Sequence, residues 1–188
     1  MEPDVITGVP AQVSGWETTS HSRDYHVLVK VLRPGSAARR ARDVVRQVLE
    51  AAGVNVEGVS DAESAVAELA ANAETHARRP YELRIVTVEG SPTWCEVVDG
   101  DEDLDGIPMI LRELRSSDPI ASWSQESGRG LLMVHRLSAG HCTAYSTRAY
   151  TTGASGKAVG FALPVKGDLD PDSPAPPVPR YGDSSHLS

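Results

Sequence analysis

The order in which the hydrophobic period changes along the chain restricts the fold more than any other feature. Residues 24–32 alternate apolar and polar side chains with the two-residue period of a strand, and Pro34 with Gly35 interrupts this pattern. A helical period follows, which starts at a Ser36 cap and stops at Gly53. The first ordered segment is therefore expected to be a strand that leads directly into a helix.

A second helix is predicted next, and it leads into a pair of strands. It opens at Ser60 with Glu63 three residues later, which is the capping-box pattern, and it runs to Arg79. Residues 81–90 and 93–100 are then rich in β-branched and aromatic side chains, with a Gly-Ser-Pro sequence at the break. These two runs are typical of a β-hairpin.

The last third of the chain repeats the change from helix to paired strands. After an irregular acidic segment, a helix is entered through Gly128 and Gly130, and strands at 141–152 and 157–165 follow around another turn. This order predicts an α+β fold, a two-layer sandwich of a mixed, mostly antiparallel sheet with the helices on one face. A Rossmann fold is disfavoured, because the sequence lacks its βαβ repeats and its GxGxxG turn.

The two ends of the chain differ in composition from its middle. Residues 1–22 carry Gly, Pro, Ser and Thr without periodicity, and residues 167–188 are rich in Pro, Asp and Ser. Such segments do not bury enough apolar surface to order themselves. We therefore expect two flexible tails around one domain at 23–166.

The charge and the hydropathy pattern narrow the functional classes. The formal net charge of −8 argues against direct nucleic-acid binding, which needs clustered Lys and Arg. No window reaches the roughly 18–20 apolar residues of a membrane span, and the N-terminus lacks the pattern of a secretory signal, so a cytoplasmic protein is expected. Cys95 and Cys142 lack metal-like spacing and are expected to be buried thiols.

Three polar residues are aligned along the second predicted helix. Glu68, Asn72 and His76 recur every four residues, so they form a row along the flank of its apolar face. The simplest interpretation is that they are ordinary boundary residues of an amphipathic helix. The alanines around them would alternatively allow a ligand to approach the helix closely.

Two downstream features favour the ligand hypothesis. Asp99 ends a strand that is predicted to be buried, where its carboxylate can accept a hydrogen bond from an exocyclic amine such as that of adenine. A turn-initiating aspartate is the alternative for this residue. Gly128 and Gly130 precede a helix whose free N–H groups would favour an anion such as phosphate, although two glycines also suit a tight helix entry.

Taken in chain order, these pieces resemble the successive sequence boxes of the GHKL (Bergerat-fold) ATP-binding family. The resemblance is greatest to its small bacterial branch of serine kinases and anti-sigma regulatory factors, and it spans residues 24–165. It is carried by Glu68-Leu-Ala-Ala-Asn72 with Ala73, His76-Ala77, Asp99-Gly100, Ser127-Gly128-Arg129-Gly130-Leu131 and Gly156-Lys157-Ala158-Val159.

The resemblance implies that the domain binds ATP or ADP together with Mg²⁺. Asn72 would bind the Mg²⁺ that bridges the phosphates, Glu68 would act as base toward an attacking hydroxyl, and Asp99 would hold the adenine amine. Gly128 and Gly130 would lie over the phosphates. The residues that the resemblance places in the cofactor site beside these are His76, which is either a packing or a rim residue, Arg129, Leu131 and Lys157.

The implied function is that of a transcription regulator similar to anti-sigma factors. It would phosphorylate a serine of an anti-anti-sigma (STAS) partner and hold a sigma factor inactive. The resemblance is also compatible with a homodimer. The alternative is a pseudo-kinase of the same fold that binds its partner through a surface. Two departures favour this alternative, because Asp101, Glu102 and Asp103 make the loop after Asp99 negative, and Ala158 stands where a Thr is common.

A calcium-binding loop at residues 101–106 is an alternative from a different class. Asp101, Asp103, Asp105 and Gly106 match positions one, three, five and six of an EF-hand loop. The match fails at position twelve, where Arg112 replaces the bidentate Glu. We therefore expect no high-affinity calcium site here.

Overall fold

The structure is a computed structural model that describes residues 25–104, 106–116 and 129–164. The tails predicted at 1–22 and 167–188 lie outside this part of the chain, as do Asp105 and Gly128. Among the described residues, no helix is long and apolar enough to cross a membrane.

A five-stranded sheet forms one layer of the domain. Its spatial order and pairing follow from two hairpins that join side by side. The strands are β1 (Tyr25–Leu32), β2 (Tyr81–Val88), β3 (Ser91–Asp99), β4 (Cys142–Arg148) and β5 (Ser155–Ala162). They are arranged as β1-β2-β3-β5-β4, and all four described pairings are antiparallel.

In the described part of the chain, four helices form the second layer. They are α1 (Ala37–Ala51), α2 (Val56–His76), α3 (Ile107–Ser116) and α4 (Arg129–Leu137). Buried residues of all four helices join one face of the sheet in a single apolar core. The α+β sandwich with helices on one sheet face is thereby confirmed, and the described strands contain no parallel pair.

The start of α2 differs from the prediction. Asn55 caps this helix, since its side-chain oxygen accepts a hydrogen bond from the Gly58 N–H at 2.7 Å. The predicted capping box at Ser60 is wrong, because Ser60 already lies in the second turn. Glu63 instead pairs with Arg46 of α1 at 2.5 Å.

Helix α3 was not predicted, because its segment was interpreted as irregular. The signal was nevertheless in the sequence. Ile107, Ile110, Leu111 and Leu114 follow the helical spacing, and Pro108 occupies the first turn, where proline is favoured. This apolar period follows the acidic residues 101–103.

Strand alternation gives the sheet two faces with different contents. On β2, Leu83 and Ile85 belong to the core beneath the helices, whereas Glu82 and Arg84 lie on the opposite face. Arg84 pairs there with Glu82 at 3.1 Å and with Glu96 of β3 at 3.3 Å, and all three side chains are fully buried.

The turn between β4 and β5 completes this buried ionic network. The N–H groups of Tyr150 and Thr151 donate to the Glu82 carboxylate at 3.0 and 2.7 Å. The Tyr150 ring lies over the Arg84 guanidinium, 3.9 Å from it. Because buried charges need such partners, the network holds the turn against the sheet.

Cys95 and Cys142 are free, buried thiols, as the sequence predicts. Both lie opposite Phe161, one on each strand that flanks β5, so two strand spacings of about 4.8 Å separate them. A disulfide between residues so far apart would require backbone movement. Burial raises the pKa of Cys142 to about 11 and that of Cys95 well above its usual value, so both stay protonated at neutral pH.

Candidate functional site

A pocket of about 530 Å³ lies between α2, α3, α4 and strands β3 and β5. Its size suits a small-molecule ligand. Glu68, Asn72 and His76 line it from α2, because side chains four residues apart share one flank of a helix. The residues predicted from the sequence that line this pocket are Glu68, Asn72, His76, Asp99, Gly130, Leu131 and Lys157.

Glu68 and Asn72 are joined by a hydrogen bond. Asn72 Nδ2 donates to Glu68 Oε1 over 3.3 Å, across one helix turn. Among the described residues, neither Asn72 Oδ1 nor Glu68 Oε2 has a hydrogen-bond partner. The pair therefore presents an amide oxygen and a carboxylate oxygen as acceptors at the pocket.

Gly130 lies in the first turn of α4, where this helix approaches α2. A Cβ atom on Gly130 would lie 1.9 Å from Glu68 Oε1, far inside contact distance. Glycine therefore leaves room for the Glu68 carboxylate at its observed position, which a larger residue would displace. Gly128 lies outside the described residues, and the structure describes Arg129 only as the first residue of α4.

An ion pair between β3 and β5 also lines the pocket. Asp99 and Lys157 are register partners on β3 and β5, and 3.2 Å separates Lys157 Nζ from Asp99 Oδ1. Both residues are about 4% exposed. Burial raises the pKa of Asp99, although the Asp101 N–H, which donates to Oδ1 at 2.9 Å, and the Lys157 ammonium act in the opposite direction.

Two glycines let the backbone pack tightly around Asp99. A Cβ atom on Gly156 would lie 1.9 Å from the Asp99 carbonyl oxygen, and one on Gly100 would lie 2.2 Å from that of Arg79. The Gly100 N–H also donates to the Arg78 carbonyl at 2.7 Å. The end of β3 is thereby fixed against the segment that leaves α2.

The walls of the pocket contain apolar residues that the sequence analysis did not single out. Val97 comes from β3 and Val159 from β5, while Ile107 and Ile110 come from α3. The two isoleucines were missed together with their helix. Apolar walls beside a few polar groups are typical of ligand sites.

The Asp101 side chain makes two contacts in the acidic segment after β3. The Asp103 N–H donates to Asp101 Oδ1 at 3.3 Å, and Asp101 Oδ2 lies 4.0 Å from Lys157 Nζ. Helix α3 begins at Ile107, inside the twelve-residue span of a calcium loop, and no group of three His, Cys, Asp or Glu among the described residues could hold a metal. A helix that begins within this span differs from an EF-hand loop, and Asp105, one of its matched positions, lies outside the described residues.

The donor set of the pocket fits magnesium. Asn72 offers its amide oxygen to the pocket, while the Glu68 carboxylate beside it accepts the hydrogen bond from Asn72 Nδ2. Mg²⁺ prefers oxygen ligands, keeps several waters and commonly binds through one or two protein groups plus phosphates. The Asn72 amide oxygen thus fits a magnesium ion that is bound with a polyphosphate.

The fold and the pocket together define an α+β domain in which one flank of α2 and the carboxylate at the end of β3 line the same pocket. The sequence model of the family described as histidine kinase-like ATPase domain matches residues 32–159, more than half of the chain. The chain therefore belongs to this family of GHKL type, whose domains bind ATP, usually with Mg²⁺. Among curated proteins, no relative matches the chain.

Proposed function

We propose that this protein is an anti-sigma-factor-like regulator that uses ATP to phosphorylate a serine of an anti-anti-sigma (STAS) partner and that holds a sigma factor inactive. One observation carries the proposal. A carboxylate and a carboxamide, those of Glu68 and Asn72, are hydrogen-bonded neighbours in a pocket that Asp99 also lines. This arrangement supports a phosphate site beside Glu68 and Asn72 and a nucleobase site beside Asp99.

The triphosphate end of ATP is assigned to the α2 and α4 side of the pocket. Asn72 would hold Mg²⁺ through its amide oxygen, and the bound ion would neutralise negative charge on the phosphates. The first-turn N–H groups of α4, near Gly130, favour an anion in the same place. The adenine base of ATP would then reach Asp99, where the end of β3 pairs with β5.

Glu68 is assigned the role of general base. It would take the proton of the partner serine as the serine oxygen forms a bond to the γ-phosphorus, while the bond from this phosphorus to ADP breaks. The proton then resides on the Glu68 carboxylate, and phosphoserine and ADP are the products. Positioning and charge neutralisation do most of the work in such transfers, so a base held by Asn72 suits this chemistry.

The test is phosphate transfer by the wild-type protein. Each STAS-domain protein encoded in the same genome would be purified and incubated with this protein, Mg²⁺ and γ-labelled ATP. We expect label on one serine of one STAS protein, and none when that serine is changed to alanine. If no STAS protein is labelled, the kinase assignment is wrong while membership of the ATPase family stands.

A pseudo-kinase is the second candidate, and the ion pair of Asp99 favours it. The Asp99 carboxylate, which would bind adenine, already has the Lys157 ammonium as partner. Asp101 adds negative charge nearby. A pseudo-kinase would bind a STAS protein or a sigma factor with the same affinity in the presence and absence of ATP. Pull-down titrations with and without nucleotide distinguish the two candidates.

A further inference from the structure

The ion pair at the end of the pocket has an asymmetry that bears on ligand recognition. Asp99 Oδ1 is engaged twice, by the Asp101 N–H at 2.9 Å and by Lys157 Nζ at 3.2 Å. Asp99 Oδ2 has no hydrogen-bond partner among the described residues. The pocket lining therefore contains one acceptor, Asp99 Oδ2, beside one cationic donor, Lys157 Nζ.

The two residues are held in this arrangement by the sheet. They face each other in the register of β3 and β5, both are about 4% exposed, and both line the pocket. Gly156 permits the approach, since any side chain there would collide with the Asp99 carbonyl oxygen. A ligand that enters the pocket thus meets a donor and an acceptor at fixed spacing.

We propose that Lys157 is a specificity-determining residue that reads the nucleobase directly. Asp99 Oδ2 accepts a hydrogen bond from the exocyclic amine of adenine, and the Lys157 ammonium donates to one of the ring nitrogens that flank this amine, N1 or N7. This assignment rests on the proposed placement of ATP in the pocket, and it adds the residue that selects the base.

The chemistry of the bases makes the pair selective. Adenine places an amine donor next to ring-nitrogen acceptors, which matches one open carboxylate oxygen and one ammonium. Guanine and hypoxanthine carry a carbonyl at the position of the amine, and this oxygen would face Asp99 Oδ2. Guanine also offers two N–H donors to a carboxylate, and here only one oxygen is open.

The test uses diphosphate ligands, which bind without turnover. Calorimetric titrations of the wild-type protein with Mg²⁺ would compare ADP, 1-deaza-ADP, 7-deaza-ADP, IDP and GDP. We expect one of the two deaza analogues to bind roughly ten- to a hundredfold more weakly than ADP, the loss typical of a hydrogen bond to a charged group. IDP and GDP should also bind more weakly than ADP.

A variant then links the analogue effect to Lys157. Lys157→Met keeps the length of the aliphatic stem and removes the donor. The difference in affinity between ADP and the weaker deaza analogue should therefore vanish in this variant, because ADP should bind as weakly as that analogue. A thermal melt reports whether Lys157→Met folds, and equal binding of ADP and both deaza analogues to wild-type protein overturns the assignment even if it does not.

The outcomes are distinguishable. If both deaza analogues bind wild-type protein as tightly as ADP, Lys157 does not read the base, and ATP binding in this pocket still stands. A deaza penalty that persists unchanged in folded Lys157→Met also overturns the assignment. If wild-type protein binds none of the diphosphates, the proposed function itself is wrong.

Discussion

Asn72 donates a side-chain hydrogen bond to Glu68 one turn earlier on α2, with 3.3 Å between Nδ2 and Oε1. The contact holds the proposed base beside the proposed metal-binding amide, and it leaves one oxygen of each side chain available at the pocket. Binding and chemistry therefore depend on a single pair, and variants of the two residues separate them.

Glu68→Gln should leave nucleotide affinity intact and depress phosphate transfer. Glutamine keeps an oxygen that can accept from Asn72, but its amide is too weakly basic to take the serine proton. A positioned general base contributes about 10² to 10⁴ in rate, so initial rates with labelled ATP should fall by that factor. Transfer by Glu68→Gln at the wild-type rate would show that Glu68 is not the base.

Asn72→Ala should weaken ADP binding only when Mg²⁺ is present. The substitution removes a metal ligand and leaves Asp99 and the apolar walls unchanged. Calorimetry with Mg²⁺ and with EDTA measures the difference. Asn72→Asp is the matched control, since it keeps an oxygen ligand and should retain the dependence on Mg²⁺. Equal losses with and without metal would contradict the assignment.

Much of the fold could be predicted from the sequence because local patterns specified it. The strand alternation of β1 and both hairpins, and the helical spacing of Glu68, Asn72 and His76, are properties of neighbouring residues. Helix α3 also has the helical spacing of apolar residues, although acidic residues precede it. Asn and Ser are both favoured N-cap residues, so residue type alone does not determine whether α2 begins at Asn55 or at Ser60.

The rest of the site depends on contacts between distant segments. Asp99 and Lys157 meet because β3 pairs with β5, a register that no pattern within either strand specifies. The steric need for Gly130 arises from Glu68 on another helix. The ionic network around Arg84 likewise joins β2, β3 and the turn after β4. Such contacts become visible only when the chain is folded.

Arg84→Met should destabilise the fold strongly and leave nucleotide affinity unchanged in the folded fraction. Removing the cation leaves Glu82 and Glu96 buried without it, which typically costs about 3 to 5 kcal/mol. The network lies on the sheet face opposite the pocket. Urea unfolding and ADP titration measure the two effects, and Arg39→Met, at an exposed position of α1, is the control. An unchanged unfolding free energy would contradict the structural role.

Nucleotide affinity should decline on acidification at a higher pH than an ordinary aspartate would produce. Burial raises the pKa of Asp99, so the carboxylate that accepts the amine is lost above the usual pKa near 3.9. ADP titrations between pH 7 and about pH 4 should show this loss in wild type and a flatter profile in Asp99→Asn. Identical profiles would exclude Asp99 as the titrating group.

The same pKa shift acts on folding with the opposite sign. A carboxyl whose pKa is raised in the folded state contributes stability that is present below its unfolded pKa and is lost as the pH rises through its folded pKa. Asp99 therefore does not itself destabilise the protein on acidification. A loss of affinity that precedes any fall in melting temperature would separate ligand recognition from acid unfolding.

Gly130→Ala should destabilise the protein, and a second substitution should reverse the effect. The three atoms nearest to a Cβ on Gly130 are Oε1, Cδ and Cγ of Glu68, the closest at 1.9 Å, so alanine there crowds the Glu68 side chain and displaces it from its contact with Asn72. Overpacking of this kind costs about 1 to 3 kcal/mol, which exceeds the helix propensity that alanine gains over glycine, about 1 kcal/mol. In a Glu68→Ala background the obstructing atoms are gone, so Gly130→Ala should be neutral or stabilising. Urea unfolding of wild type, both single variants and the double variant measures this coupling. If Gly130→Ala costs the same in both backgrounds, the close approach of α4 to Glu68 is not what requires glycine.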